Sequence, residues 1–188
     1  TSLYFVVNDS FYDKILPKCS LAEGVIVGSL SKVATEHPEL VAKYYGKIAN
    51  TGDDAVTALN TMLSQDGLMV YVPKNVKVEK AIQVINILRS DVDLMVNRRV
   101  LIVMEQGSEA KFLFCDHAAD DRNFLATQVI EAFVGENAKL DLYCLEETHY
   151  KNTRVSNVYI EQQANSVVNH NVITLHNGVT RNRLDLVF

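Results

Sequence analysis

The sequence predicts a mostly β protein: a parallel β-helix of stacked repeats, preceded by a short α/β lead-in, the whole being a fragment of a longer protein. Three observations carry that expectation. Helical periodicity is confined to the first 66 residues, and beyond Gly67 the chain consists of short apolar segments separated by Gly, Asn and acidic turns. The stretch GSEAKFLFC (Gly107–Cys115) returns as GENAKLDLY (Gly135–Tyr143), 28 residues further on. The same 28-residue step brings apolar side chains into columns: Ile102 with Ile130, Val158 and Leu186, then Met104 with Ala132, Ile160 and Phe188, and Val84 with Phe112, Leu140 and Val168.

The elements follow in order. LYFVVND (Leu3–Asp9) and GVIVGSL (Gly24–Leu30) read as short strands, rich in β-branched or aromatic residues beside a turn former. In TEHPELVAKYYGKIAN, Pro38 suits a first helical position, and Leu40, Val41, Tyr44, Tyr45 and Ile48 recur at helical spacing. Gly52-Asp53-Asp54 offers an N-cap for a second helix with Ala55, Val56, Leu59, Met62 and Leu63 on one side. Residues 1–66 therefore form a lead-in with two helices, and 67–188 the β-helix core.

Columns two residues apart are apolar in every repeat, so one strand face is dry throughout. A strand–turn–strand unit cannot bury such a face alone, but stacked copies share one interior. The stretches 116–124 and 147–153 are the variable loops. An antiparallel sandwich or jelly roll with coincident spacing is the alternative. The chain stops at LDLVF, in register with NVYI of the preceding unit, which leaves an apolar edge. Either further coils follow, or that edge pairs with another chain in a homo-oligomer.

Composition narrows the function. The chain has 188 residues, 48% hydrophobic and 22% charged, with net charge -5, as an ordinary globular domain has. Lys74, Lys77 and Lys80 alternate with other residues and Arg98-Arg99 is an isolated pair, so the basic stripe that nucleic-acid binding needs is not visible. Apolar runs such as LYFVV, LMVYV and VLIVM have five members, far short of a membrane helix. Three cysteines without framework spacing fit a reducing compartment, and the expected location is the cytoplasm.

Candidate chemistry is sparse. Cys115-Asp116-His117 and Cys144 suggest a metal or iron–sulfur site, but the register sets Cys115 beside Tyr143 and Cys144 beside Asp116, with the thiols on opposite faces. Packed cysteines and an incidental His117 are the plainer reading. His149 and His176 approach each other at one corner of adjacent coils, while His170 falls in the column of Phe114 and Leu142 as a satisfied structural histidine. Glu105 and Glu161 share a column with Phe133, whereas Asp116, Asp120, Asp121, Glu146 and Glu147 fall in loops as solvated charge. A β-helix polysaccharide lyase or hydrolase needs a column of carboxylates, and none survives the 28-residue alignment. GxxxxGK[ST], GxGxxG and GxSxG are missing, and the acids of GDDAV (Gly52–Val56) repel phosphate. No catalytic or metal residue is assigned, and a cofactor site stays unknown.

Several segments resemble one family. LYFVVNDSFYDKI, LAEGVIVGSLSKV, ALNTMLSQDGLMVYVPKNVKVEKAIQV, VLIVMEQGSEAKFLF and NVITLHNGVTRNRLDLVF are similar, in this order, to the SufB/SufD family of iron–sulfur cluster assembly scaffolds. The opening strand and the Leu-Ala-Glu-Gly-Val step look more like its D component, SufD, than its B component. The resemblance implies a right-handed parallel β-helix subunit that is not an enzyme. It also implies pairing with a SufB-like paralogue in a SufBCD complex and engagement of a SufC-like ABC ATPase, through regions outside this chain. The cluster and ATP would be handled through those partners. Neither Cys115 nor Cys144 sits in a motif shared with the family, so neither is carried over as a ligand.

Overall fold

A computed structural model describes residues 1–15, 21–49, 51–52 and 54–188. Cys19 and Asp53 lie outside the described residues. The lead-in holds β1 (Ser2–Val7), β2 (Ser10–Tyr12), β3 (Ile26–Ser29), α1 (Leu30–Glu36), α2 (Pro38–Tyr44) and α3 (Ala55–Leu63). The strands that follow are β4 (Leu68–Val72), β5 (Ile82–Leu88), β6 (Leu94–Met104), β7 (Glu109–Ala118), β8 (Phe124–Val134), β9 (Lys139–Glu147), β10 (Asn152–Gln162), β11 (Val167–His176) and β12 (Val179–Val187).

From β4 onward the chain alternates between two sheets, ordered β2-β1-β5-β7-β9-β11 and β3-β4-β6-β8-β10-β12. Successive coils pair in parallel throughout, which makes a parallel β-helix. The lead-in shares both sheets, because β1 runs parallel to β5 and β3 antiparallel to β4.

The single 28-residue period needs correction. In the second sheet Leu68 lies opposite Val100, Leu94 opposite Phe124, Phe124 opposite Asn152 and Thr153 opposite Val179, steps of 32, 30, 28 and 26. Ile130 does stack on Val158, Ala132 on Ile160 and Leu140 on Val168. Ile102, however, stacks on Ala132, Met104 on Val134 and Val84 on Phe114. Val158 and Ile160 meet Leu184 and Leu186, and Ala110 meets Leu140. Each of these steps is even, so each error moves a residue along its column without changing its face; the one odd step among the described parallel strand pairs follows a bulge at the end of β11, where His176 lies opposite Glu147. Ile102, Ile130 and Val158 therefore share one buried core cluster.

One corner repeats closely. The turns Pro73–Val76, Glu105–Ser108, Gly135–Ala138 and Gln163–Ser166 each close with the fourth N–H donating to the first carbonyl. Their third residues, Asn75, Gly107, Asn137 and Asn165, all have positive φ, the left-handed region that Asn and Gly tolerate best. Neighbouring turns also hydrogen-bond, through Asn75 N–H to the Gln106 carbonyl, Gly107 N–H to Glu136 and Asn137 N–H to Ala164. The GSEAK and GENAK echo is thus two residues out of register: Gly135 opens its turn, whereas Gly107 is third in its own. At the opposite corner the loops span 89–93, 119–123 and 148–151.

The helices depart from expectation in three ways. A third helix, α1, follows β3 directly, with the Ser29 hydroxyl accepting the Lys32 N–H as its N-cap. Pro38 does open α2, but α2 ends at Tyr44, because Gly46 has positive φ and the N–H groups of Gly46, Ile48 and Ala49 turn to Glu131. Asp54 caps α3 as expected, yet α3 buries Thr57 and Asn60 while Met62 is 72% exposed. The outer surface of the second sheet is polar there: Asn60 donates to Thr127 Oγ1 (2.9 Å) and Thr57 meets the Tyr159 hydroxyl (2.8 Å). Polar satisfaction outweighs the apolar stripe. Leu30, Val33 and Val41 pack on Met69, Leu101, Val103 and Phe133 of the same sheet.

Candidate functional site

Toward the C-terminal ends of the first sheet's strands, the inward rows change from apolar to charged. Asn86 (β5), Asp116 (β7) and Glu146 (β9) stack in one buried column, which Thr174 (β11) continues to the exposed last strand. Arg98 (β6) and Arg154 (β10) reach them from the second sheet. Asp116 accepts from Asn86 Nδ2 (2.8 Å), Arg98 Nη1 (3.0 Å) and Arg154 Nε (2.7 Å). Glu146 accepts from Arg154 Nη1 (2.6 Å) and Thr174 Oγ1 (2.6 Å). Arg98 also donates to the Asn8 carbonyl (2.7 Å), and Arg154 to Asn182 Oδ1 (2.9 Å). All four charged side chains are buried.

This corrects the sequence reading twice. Asp116 and Glu146 are strand residues buried in the interior, not solvated loop charge, and they form a carboxylate column once the 30-residue step of β7 on β9 replaces 28. The column is neutralised, however. Burial would raise the Asp116 carboxyl, but the charges of Arg154 and Arg98 and the Asn86 amide hold it below the usual carboxylate range. Burial likewise opposes the Arg154 charge, which Asp116 and Glu146 restore and raise. Burial lowers Arg98. A carboxylate locked between guanidiniums fixes charge and geometry; it is a poor proton carrier near neutral pH.

The cysteines do not join this cluster. Cys115 pairs with Leu145 and Cys144 with Phe114, not with Tyr143 and Asp116, but their separation is odd and the thiols do face opposite sides. Burial pushes the Cys144 thiol up to about 12 and also raises Cys115, so both hold their protons. His117 shares the outer face with Cys115. His149 and His176 do meet at one corner, 6.5 Å between ring centroids, with Asp121 3.3 Å from His149 Nδ1. His170 stacks on Leu142 and, through it, Phe112, not Phe114. It is not satisfied: its buried Nε2 has no hydrogen-bond partner, and burial lowers its pKa. Glu161 does pair with Phe133, but Glu105 lies at a turn, where it accepts from the Tyr44 hydroxyl (3.1 Å). Among the described residues no group of three or more His, Cys, Asp or Glu side chains is placed to hold a metal ion.

A second buried pair lies outside the solenoid. Glu131, central in β8, accepts from Arg99 Nη2 (2.5 Å) and from the N–H groups of Gly46 (2.9 Å), Ile48 (3.2 Å) and Ala49 (3.1 Å). Arg99 donates to Thr61 Oγ1 (2.9 Å) and lies 4.6 Å from the Tyr45 ring centroid. Helical lead-in and β-helix wall are therefore joined through one carboxylate. The two arginines of Arg98-Arg99, set aside in the sequence as an isolated pair, serve opposite faces of one strand. The available signal was a lone acid inside the apolar run QVIEAFV.

No helix among the described residues is long and apolar enough to cross a membrane. The SufBD protein N-terminal region family matches residues 1–84, and the SUF system FeS cluster assembly SufBD core domain matches residues 86–188. A SufBD family iron–sulfur cluster assembly protein of Synechocystis is 35% identical over 141 residues, covering 72% of this chain and 29% of that protein. The iron–sulfur cluster assembly protein SufD of Bacillus subtilis is 31% identical over 128 residues, 63% of this chain and 27% of that protein. A chloroplastic SufBD family protein of Arabidopsis thaliana is 33% identical over 121 residues, 62% of this chain and 21% of that protein. The matches span less than a third of each relative's length. With its two family regions running in order along a parallel β-helix, the chain belongs to the SufBD family of iron–sulfur cluster assembly proteins.

Proposed function

We propose that this chain is the rigid part of a non-catalytic scaffold subunit in a Suf-type iron–sulfur assembly complex, of the D type, working in the cytoplasm. Its place beside a SufB-like paralogue and a SufC-like ABC ATPase depends on regions of a longer protein, and the cluster and ATP are handled through those partners. The observation that supports this reading is the charge-balanced Arg98–Asp116–Arg154–Glu146 cluster, which ties both walls of the solenoid together from inside. With Glu131 fixing the lead-in to the outer wall, motion of attached domains passes through a stiff body instead of being absorbed. A polysaccharide-cleaving β-helix needs carboxylates open to substrate, and the stacked pair here is sealed by arginines.

Co-purification of the full-length protein tests the reading. A β-helix paralogue and an ABC-type ATPase should come down together. Recovery of neither partner, or robust turnover of acidic or neutral polysaccharides, would overturn it.

A further inference from the structure

The two sheets differ in what covers them. α1 and α3 pack on the second sheet, whereas the outer face of the first keeps Leu3, Tyr143 and Ile173 at 38%, 41% and 53% exposure. Its central row is apolar across the sheet: Phe5, Ile85, Cys115, Leu145 and Ile173 lie side by side. Ile173 is the exposed member of this row, Phe5, Ile85 and Leu145 are partly exposed, and Cys115 is buried between them.

The charges along this face identify the occupant. Lys111 of β7 lies beside Asp141 of β9 (3.7 Å between charged atoms), and Glu109 beside Lys139. A two-fold axis along the strands, between β7 and β9, lays β7 of one copy over β9 of the other and β5 over β11. Each residue then faces the cross-strand neighbour of its own equivalent. Lys111 faces Asp141 and Glu109 faces Lys139, each pair occurring twice, while Cys115 meets Leu145 and Ile85 meets Ile173. The face is complementary to itself in both charge and polarity. Four strands at about 4.8 Å spacing, each about 20 Å long, give a footprint of roughly 400 Å² per copy, in the range of weak, exchanging interfaces.

We propose that the outer face of the first sheet is a self-association surface, on which a second copy of this chain docks sheet to sheet about the two-fold between β7 and β9. This contact is separate from pairing at the edge strands β11 and β12 and independent of the iron–sulfur reading.

Sedimentation velocity of the 188-residue chain, from about 10 to about 500 μM, tests it, with circular dichroism confirming that each variant is folded. The wild type is expected to move from monomer to dimer over that range. Lys111→Asp alone and Asp141→Lys alone each set like charges face to face and should weaken dimerisation at least about tenfold, while an equimolar mixture of the two restores a heterodimer. Leu145→Lys should abolish the dimer, and Leu186→Lys on β12 should leave it intact. A chain that stays monomeric throughout, a dimer that survives Leu145→Lys, one lost with Leu186→Lys, or a mixture that fails to recover would each overturn the proposal.

Discussion

Replacing Asp116 with alanine tests whether the interior of the solenoid is a dry, charge-balanced core. The carboxylate accepts three hydrogen bonds, at 2.7, 2.8 and 3.0 Å, two of them from guanidiniums. After Asp116→Ala, Arg154 keeps Glu146, but Arg98 keeps only the Asn8 carbonyl as a described acceptor. Removing one partner of a buried ion pair costs about 3–5 kcal/mol, because a charge is left uncompensated. That is a large part of the roughly 5–15 kcal/mol a folded domain holds. At about 2–4 °C per kcal/mol for a chain of this size, the melting temperature should fall by roughly 6–20 °C. Asp116→Asn keeps an acceptor while losing the charge and should fall between. Urea unfolding followed by far-ultraviolet circular dichroism measures the loss. A penalty below about 1 kcal/mol, or one that disappears in high salt, would refute a dry interior, since buried pairs are screened far less than exposed ones.

Three further outcomes follow from the geometry. Glu131→Gln should destabilise the chain by about 2–4 kcal/mol and speed amide exchange at Gly46, Ile48 and Ala49, read by hydrogen–deuterium exchange, since those N–H groups lose a charged acceptor. At Asp54, burial pushes the carboxyl up, but the Thr57 N–H, Arg181 and Asn157 together hold it down at about 2. A depressed carboxyl adds stability above its unfolded value near 3.8 and loses it as pH falls toward 2, here about 1 kcal/mol after solvent screening, and Asp54→Asn should flatten that stretch of the stability–pH curve. Asn137 has φ +55°, so Asn137→Ala should cost about 1 kcal/mol in thermal unfolding, whereas Asn137→Gly should be near neutral.

The solenoid was legible because pleat parity tolerates even errors. A 28-residue step applied to coils of 32, 30 and 26 misplaced Ile102 and Val84 by two residues and still put both on the dry face. Finer contacts were not legible for the same reason. Asp116 and Glu146 meet only at 30, so a column that looked empty holds two acids and an asparagine. Asn75, Gly107, Asn137 and Asn165 would have supplied the true steps, had the turns been aligned on residues that accept positive φ and not on the GSEAK echo. Periodicity misled at α3, where polar Thr57 and Asn60 are the buried residues. A helix lying on a polar sheet face inverts the usual stripe, and only the partner surface reveals it.

The even steps have a consequence for how such a wall can change length. A strand's side chains have a two-letter reading frame: a pair of residues gained or lost alters only the girth of a coil. A single residue gained within a strand shifts the frame, sending Phe112 or Ile130 into water and a lysine into the core. Length drift between homologous coils should therefore come in twos along the strands, with odd changes absorbed at the loops spanning 89–93, 119–123 and 148–151 or at a strand-end bulge such as that between Thr174 and His176.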